Sequence, residues 1–331
     1  MSSNLDSVHA QRAGGLKHRW VFTALVIGAL VLLGVFGAGY FLLIHYERNA
    51  AKHLPEGTSW AVRLDVEKVV LFEPFRRHVL QQLKTDTQSA SWLDRFEEAA
   101  GVNIGLELRE IVYGRTELDW FFVLGGTYGS SELVRSAYDA LGTRAGCELT
   151  DARRLRCESL GIFSEQASDG VVVIGSSDGV LDSALPQSLR YQQLRLPSEG
   201  PGGFALSPSV LETIAKSPLS LVNSSLKRLA DVGALYGELS LAEDVQLAVT
   251  ALPKAQSSLA PLAEQAESLL GGAQTLMSFA PGPDFGGERA VLSRAKVQVS
   301  DQGSLVIRSY WKRTEVEQAA RSVAGLLRQG L

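Results

Sequence analysis

The sequence predicts an α+β protein in which an N-terminal transmembrane helix precedes two ferredoxin-like subdomains, each an antiparallel sheet with helices in the split β-α-β arrangement. Three observations lead to this prediction: an uncharged apolar run near the N-terminus, strand-length segments of alternating polarity among helical periodicities, and a similar order of these segments in both halves. The composition fits a folded chain, because 45% of the 331 residues are hydrophobic and 21% are charged. A net charge of −4 argues against nucleic acid as a partner, since such proteins present a basic surface.

The apolar run extends from Trp20 to Ile44 without a charged side chain. A bilayer core of about 30 Å requires roughly 20 helical residues, so this run is long enough to span it. Trp20, Tyr40 and Tyr46 lie where interfacial aromatic side chains are expected, and residues 20–46 are predicted to form a transmembrane helix in contact with the lipid bilayer. A cleaved signal peptide is the alternative, but its apolar region would have only about 7–15 residues and would end in small residues.

The charges that flank the run set the predicted orientation. Three basic residues precede it and two follow it closely, namely Arg12, Lys17, Arg19, Arg48 and Lys52. Under the positive-inside rule, this small excess places the N-terminus in the cytoplasm and the rest of the chain on the far side of the membrane. Residues 1–19 are polar and too few to fold, so they are predicted to form a disordered cytoplasmic tail.

Small residues lie four positions apart at two places in the run, where Ala24 pairs with Gly28 and Gly34 with Ala38. Such pairs let transmembrane helices approach closely, so self-association through this surface is one expectation. The alternative is that glycine and alanine are simply frequent in membrane-spanning helices.

Residues 54–197 form the first predicted subdomain, which begins with a strand over residues 60–65. In that strand Trp60, Val62 and Leu64 alternate with more polar positions and are expected to face the core. The later patterns predict strands at 108–113, 119–126, 144–149, 155–162 and 171–174, and helices at 75–83, 91–100, 130–141 and 180–189.

Residues 198–203 are rich in glycine and proline and are predicted to form a linker. Residues 204–331 form the second subdomain, in which the order of strands and helices resembles that of the first. Its predicted strands cover 234–241, 245–252, 291–299 and 305–311, and its helices cover 207–216, 219–229, 257–270 and the closing segment from 313.

Three short motifs resemble a family of uncharacterised single-pass bacterial envelope proteins. They are Leu-Asp-Val at 64–66 before a helix, Val-Leu-Gly-Gly at 123–126 before a helix, and Val-Val-Ile-Gly at 172–175. The resemblance covers most of residues 54–328. It implies a bacterial inner membrane and a periplasmic, repeated ferredoxin-like ectodomain without an established activity, and it assigns no catalytic residue.

Cys147 and Cys157 flank a turn centred on Asp151–Arg153. If those three residues form the loop of a hairpin, the two cysteines are directly opposed, at a separation suited to a disulfide. A disulfide would place the folded region in an oxidising compartment, which agrees with the predicted orientation. The alternative is a pair of free thiols in an intracellular hairpin.

The sequence argues against most candidate catalytic and ligand-binding sites. The segment 175–179 matches G-x-S-x-G, but all five histidines precede it, so the Ser-Asp-His order of that fold cannot be assembled. Its serine and aspartate are predicted to cap a helix instead. The sequence contains no H-E-x-x-H or C-x-x-C motif and no complete nucleotide-binding motif, so no metal or cofactor is predicted.

These observations favour a membrane-tethered envelope protein whose ectodomain is non-catalytic and binds or scaffolds another envelope protein. Two alternatives remain open. One is an envelope hydrolase with a carboxylate pair that the sequence does not reveal. The other is a binding module for a small ligand, with a cavity between the two halves.

Overall fold

The computed structural model describes residues 48–80, 97, 98, 101, 103, 107–128, 132–150, 153–218, 220, 224–255, 257–279 and 287–330. The predicted tail at 1–19 and the predicted transmembrane helix at 20–46, with its aromatic and small residues, lie outside these ranges. Among the described residues, no helix combines the length and the apolar character that crossing a bilayer requires.

The described residues between 48 and 330 belong to one compact unit, and their strands form a single sheet of twelve. Every pair of neighbouring strands is antiparallel. The strands are β1 (Trp60–Asp65), β2 (Leu108–Arg115), β3 (Trp120–Gly126), β4 (Glu148–Thr150), β5 (Arg154–Cys157), β6 (Ile162–Gln166), β7 (Val172–Gly175), β8 (Gly202–Leu206), β9 (Val232–Leu241), β10 (Val245–Pro253), β11 (Lys296–Val299) and β12 (Leu305–Trp311). Their order across the sheet is β11-β12-β10-β9-β8-β1-β2-β3-β7-β6-β5-β4.

The predicted fold class of two ferredoxin-like subdomains is wrong. Strand β8 pairs with β1 on one side and with β9 on the other, so it joins the two halves into one sheet. Its first two residues, Gly202 and Gly203, belong to the segment whose composition indicates a linker. A Cβ atom at Gly203 would lie 2.8 Å from the carbonyl oxygen of Gly237 and from Cγ of Pro197. Glycine at this position of the strand lets the neighbouring chain segments approach closely, whereas glycine in the predicted linker would only interrupt regular structure.

Helices and short turns cover parts of both faces of the sheet. The α-helices used below are α1 (Val66–Leu71), α2 (Glu132–Ala145), α3 (Asp178–Ala184), α4 (Arg190–Leu194), α5 (Pro208–Lys216), α6 (Leu259–Phe279), α7 (Glu288–Arg294) and α8 (Arg313–Gly330). Shorter helical segments also occur at Ala50–His53, Glu73–Phe75, Arg76–Leu80, Glu158–Leu160 and Ser224–Asp231. Residues 291–294, predicted to begin a strand, instead belong to α7, and only 296–299 form the strand β11.

We call the side of the sheet that carries Arg63 the front face and the side that carries Val62 the back face. On the front face, the turn Ala50–His53 and helices α3 and α4 bury one half of the sheet. On the back face, α2 packs near the disulfide, and α5 and α6 pack on the other half. In the part of the chain that the structure describes, the front face of β9, β10, β12 and β11 carries mainly exposed polar side chains.

Strand β1 is present where the alternation predicts it, but its buried side is reversed. The predicted core residue Val62 is 44% exposed, whereas Ala61, Arg63 and Asp65 are buried. The polar side can be buried because Arg63 forms an ion pair with Glu110 of β2, and Asp65 lies 2.8 Å from the guanidinium of Arg48. Buried charges are tolerated when they are paired in this way.

Candidate functional site

A groove with a volume of about 1090 Å³ runs across the open part of the front face. We call it the front groove. The register places Glu238, Ala248, Arg308 and Lys296 in one row across its floor, on β9, β10, β12 and β11 respectively. A parallel row contains Ser240, Gln246 and Tyr310. Because residues in register point to the same face, these side chains form one continuous surface.

The wall of the front groove is the segment 195–201, which leads from α4 into β8. Pro197 of this segment packs directly on Gly203 in the floor. Arg63 donates from Nη1 to the carbonyl oxygens of Gly200, at 3.4 Å, and Glu199, at 3.5 Å. The segment is therefore held against the sheet from below by a buried cation.

The ion pair of Arg63 with Glu110 lies beneath this wall. The side chain of Arg63 is 0% exposed and that of Glu110 is 2% exposed. Glu110 also accepts a hydrogen bond from the backbone N–H of Ala50 through Oε2, at 3.1 Å. The pair thus connects β1, β2, the first turn of the described chain and the groove wall, so the shape of the groove depends on a buried electrostatic contact.

The charges of the front groove are separated. Arg294, Lys296 and Arg308 lie towards the β11 edge, whereas Glu238 lies on β9. The wall carries Arg195 and Glu199, whose charges offset each other. The β11 side is therefore basic, and the β9 side has a slight acidic excess.

Arg294 already has a counter-charge, which distinguishes it from the other two cations. Its Nη1 donates to Glu315 at 2.6 Å, and its guanidinium lies 5.0 Å from the ring centroid of Tyr310. Hydrogen bonding from Arg294 holds the pKa of the Glu315 carboxyl below its usual range. Lys296 and Arg308 make no ion pair within the described residues, so they are available to a ligand, as is Arg195 on the wall.

The predicted disulfide is confirmed. Cys147 and Cys157 are bonded, with their Cα atoms 4.2 Å apart. Strands β4 and β5 pair Leu149 with Leu155, which is the register that the opposed cysteines require. The disulfide lies at the β4 edge of the sheet, far along the strand order from the front groove.

In the G-x-S-x-G segment the serine has the predicted capping role, whereas Asp178 is the first residue of α3 and lies 3.2 Å from the guanidinium of Arg156. Ser177 is the N-cap of α3 and accepts a hydrogen bond from the backbone N–H of Val180 at 3.4 Å. The two ring nitrogens of His53 lie 2.9 Å from the carbonyl oxygen of Ala184 and 2.9 Å from Oδ2 of Asp169. Within the described ranges, no hydrogen bond joins a histidine to Ser177, and no group of three or more potential metal ligands occurs.

No sequence pattern predicts the front groove. Its residues come from 191–201, 236–248 and 294–310, segments that no motif connects. The only signal was the alternation that puts polar side chains on one side of β9, β10 and β12. That pattern by itself indicates a solvent-facing side of a sheet, not a groove.

Replacing Gly203 with alanine should displace the wall of the front groove. The new Cβ atom would contact both Pro197 and the carbonyl oxygen of Gly237 at 2.8 Å. We expect the free energy of unfolding to fall by about 1–3 kcal/mol, as for other overpacked sites, in denaturant titrations. Gly271→Ala is the control, since nothing lies within 4 Å of its added Cβ atom and alanine favours its helix. Equal stability of the two variants would contradict the close packing.

Asp169 links the first described turn to the loop between β6 and β7. Its carboxylate accepts hydrogen bonds from Asn49 at 2.7 Å, His53 at 2.9 Å and Gln187 at 3.0 Å. Burial alone would raise the pKa of Asp169, but the hydrogen bonds and charge of its partners lower it on balance.

The lowered pKa of Asp169 predicts a pH-dependent contribution to stability. Because the folded-state pKa lies below the unfolded value of about 3.9, the contribution is complete above that pH and is lost as the pH falls towards the folded-state value. Asp169→Asn should therefore reduce stability at pH 7, by about 1–2 kcal/mol from its hydrogen bonds, and the difference from the wild type should shrink below about pH 4. Denaturant titrations at several pH values test this; a difference that is constant with pH would contradict it.

No family model matches the chain, and no curated protein matches it. Two solved structures of TP0453, in crystal forms I and III, are similar to it with a TM-score of 0.43 in each case. The sequence identities are 9% and 10%, and the alignments cover 85% and 83% of this chain and 98% and 97% of the TP0453 chain.

Proposed function

We propose that this protein is a non-catalytic binding protein of the bacterial envelope and that it binds its partner in the front groove. The observation that carries the proposal is the groove itself: a large concave surface with separated charges and a wall held by a buried ion pair. Concave sites with a few well-placed polar groups are typical of ligand binding.

Two further observations support the envelope location. The disulfide between Cys147 and Cys157 is of the kind that persists in oxidising compartments such as the bacterial periplasm. The uncharged run at 20–44 supports tethering to the inner membrane with residues 48–331 on the periplasmic side. Neither observation identifies the partner.

A binding module for a small ligand is the second candidate. It is favoured by the position of the groove, whose wall ends the first half of the chain and whose floor belongs to the second half. Both candidates use the same surface and differ in the size of what is bound.

Site-specific photo-cross-linking in intact cells tests the proposal. A photoreactive residue replacing Gln246, in the groove floor, should give a discrete adduct with an envelope protein or ligand. The same residue replacing Glu117, in an exposed turn between β2 and β3, should not. If neither position gives an adduct while the purified protein turns over an envelope substrate, the proposal is wrong and an envelope hydrolase is favoured.

A further inference from the structure

The charged side chains of the front groove have a spacing that identifies a class of ligand. Neighbouring strands lie about 4.8 Å apart. Glu238 on β9 and Arg308 on β12 are therefore separated by two strand spacings, about 10 Å, and Lys296 on β11 lies about 14 Å from Glu238. An extended peptide rises about 3.3 Å per residue, so three or four residues cover this distance.

The groove floor between these charged residues carries uncharged side chains. Ala248 lies in register between Glu238 and Arg308, and its side chain is the smallest of that row. The adjoining row of the groove floor contains Gln246 and Ser240. Amide and hydroxyl groups can both donate to and accept from a peptide backbone.

We infer that the front groove binds short zwitterionic peptides, with the ligand carboxylate at Arg308 and Lys296 and the ligand amino group at Glu238. This inference deepens the proposed function and rests on it. A purely anionic polymer fits less well, because it would have to pass the carboxylate of Glu238. The wall is held in place before binding by Arg63, so little ordering is required when the ligand enters.

The Arg294–Glu315 pair has a positioning role in this arrangement. The carboxylate of Glu315 accepts a hydrogen bond from the guanidinium of Arg294 and keeps it beside the ring of Tyr310. Arg294 therefore packs against the basic side of the groove. Arg308 keeps an uncharged neighbour, Gln298, at 3.3 Å. Its guanidinium can therefore exchange this contact for a ligand carboxylate without losing an ion pair within the described chain.

The test uses the full chain in detergent micelles and tetra-alanine as the probe, with titration calorimetry as the readout. N-acetylation or C-terminal amidation of the peptide should each raise the Kd about fivefold, which corresponds to the upper end of the free energy of one exposed ion pair. Glu238→Gln should weaken binding of the free peptide by a similar factor and leave the acetylated peptide unaffected. Arg308→Gln should weaken binding of the free peptide by a similar factor and leave binding of the amidated peptide unaffected.

Two variants serve as matched controls because they remove exposed charges outside the groove: Glu117→Gln and Lys227→Gln should leave every Kd unchanged. Equal affinities of the free and capped peptides, or no binding at millimolar peptide, would overturn the inference. If peptide binding fails while the residue at position 246 still cross-links a partner in cells, only the ligand class is wrong. If both fail, the proposed function is wrong as well.

Discussion

Replacing Glu110 with alanine is expected to lower the free energy of unfolding by about 3–5 kcal/mol, because it leaves a buried guanidinium without its counter-charge. Arg63 and Glu110 are both buried, and Glu110 in addition accepts a hydrogen bond from Ala50. Denaturant titration of the full chain in micelles measures the change. The same variant should weaken peptide binding, since Arg63 also holds the groove wall.

The double variant Arg63→Met with Glu110→Leu separates loss of the charge pair from loss of packing. Apolar residues of similar volume often replace a buried ion pair at little cost, so the double variant should recover most of the stability lost by Glu110→Ala. It should not recover peptide binding, because methionine cannot donate to the carbonyl oxygens of Glu199 and Gly200. Glu117→Ala, at an exposed turn, is the control for loss of a carboxylate and should leave stability unchanged. A loss below about 1 kcal/mol for Glu110→Ala would match an exposed pair and contradict the burial.

Replacing both cysteines with serine is expected to lower stability by about 3 kcal/mol, because the disulfide closes a short loop and restricts the unfolded chain. The two residues are ten positions apart in the sequence. The bond also attaches β4, the three-residue strand at the edge of the sheet, to β5. Thermal unfolding of the wild type and the double variant, each with and without reductant, provides the measurement.

Reductant should lower the stability of the wild type to that of the double serine variant and should leave the variant unchanged. Binding in the front groove should be the same in both proteins, since the disulfide and the groove lie near opposite ends of the strand order. A reductant effect on the serine variant would show that another process is being measured.

Local patterns predicted most strands well. The hairpin of β9 and β10 forms around the polar turn at Glu243 and Asp244, and β12 covers the range that its alternation predicts. The disulfide was predictable for the same reason, because hairpin register depends on turn length. These features depend on residues that are near one another in the sequence.

Alternation was misleading in β1, although the strand itself was predicted. It indicates two sides of a strand but does not say which side is covered. The covered side proved to be the polar one, since Glu110, which neutralises Arg63, lies in a strand 47 residues further along the chain. Likewise, the sequence at 198–203 reads as a linker because glycine and proline interrupt helices and strands, whereas Gly203 lies in a central strand.

The sequence by itself determined most of the local strands and helices of the described residues, the paired cysteines and the absence of a Ser-Asp-His order around Ser177. Only the tertiary structure decided that the strands form one sheet, which side of β1 is buried, and that Glu238, Arg308 and Lys296 share one groove. The physical reason is range. Turn geometry and side-chain periodicity act over a few residues, whereas strand pairing through β8 and burial of an ion pair depend on contacts between distant segments.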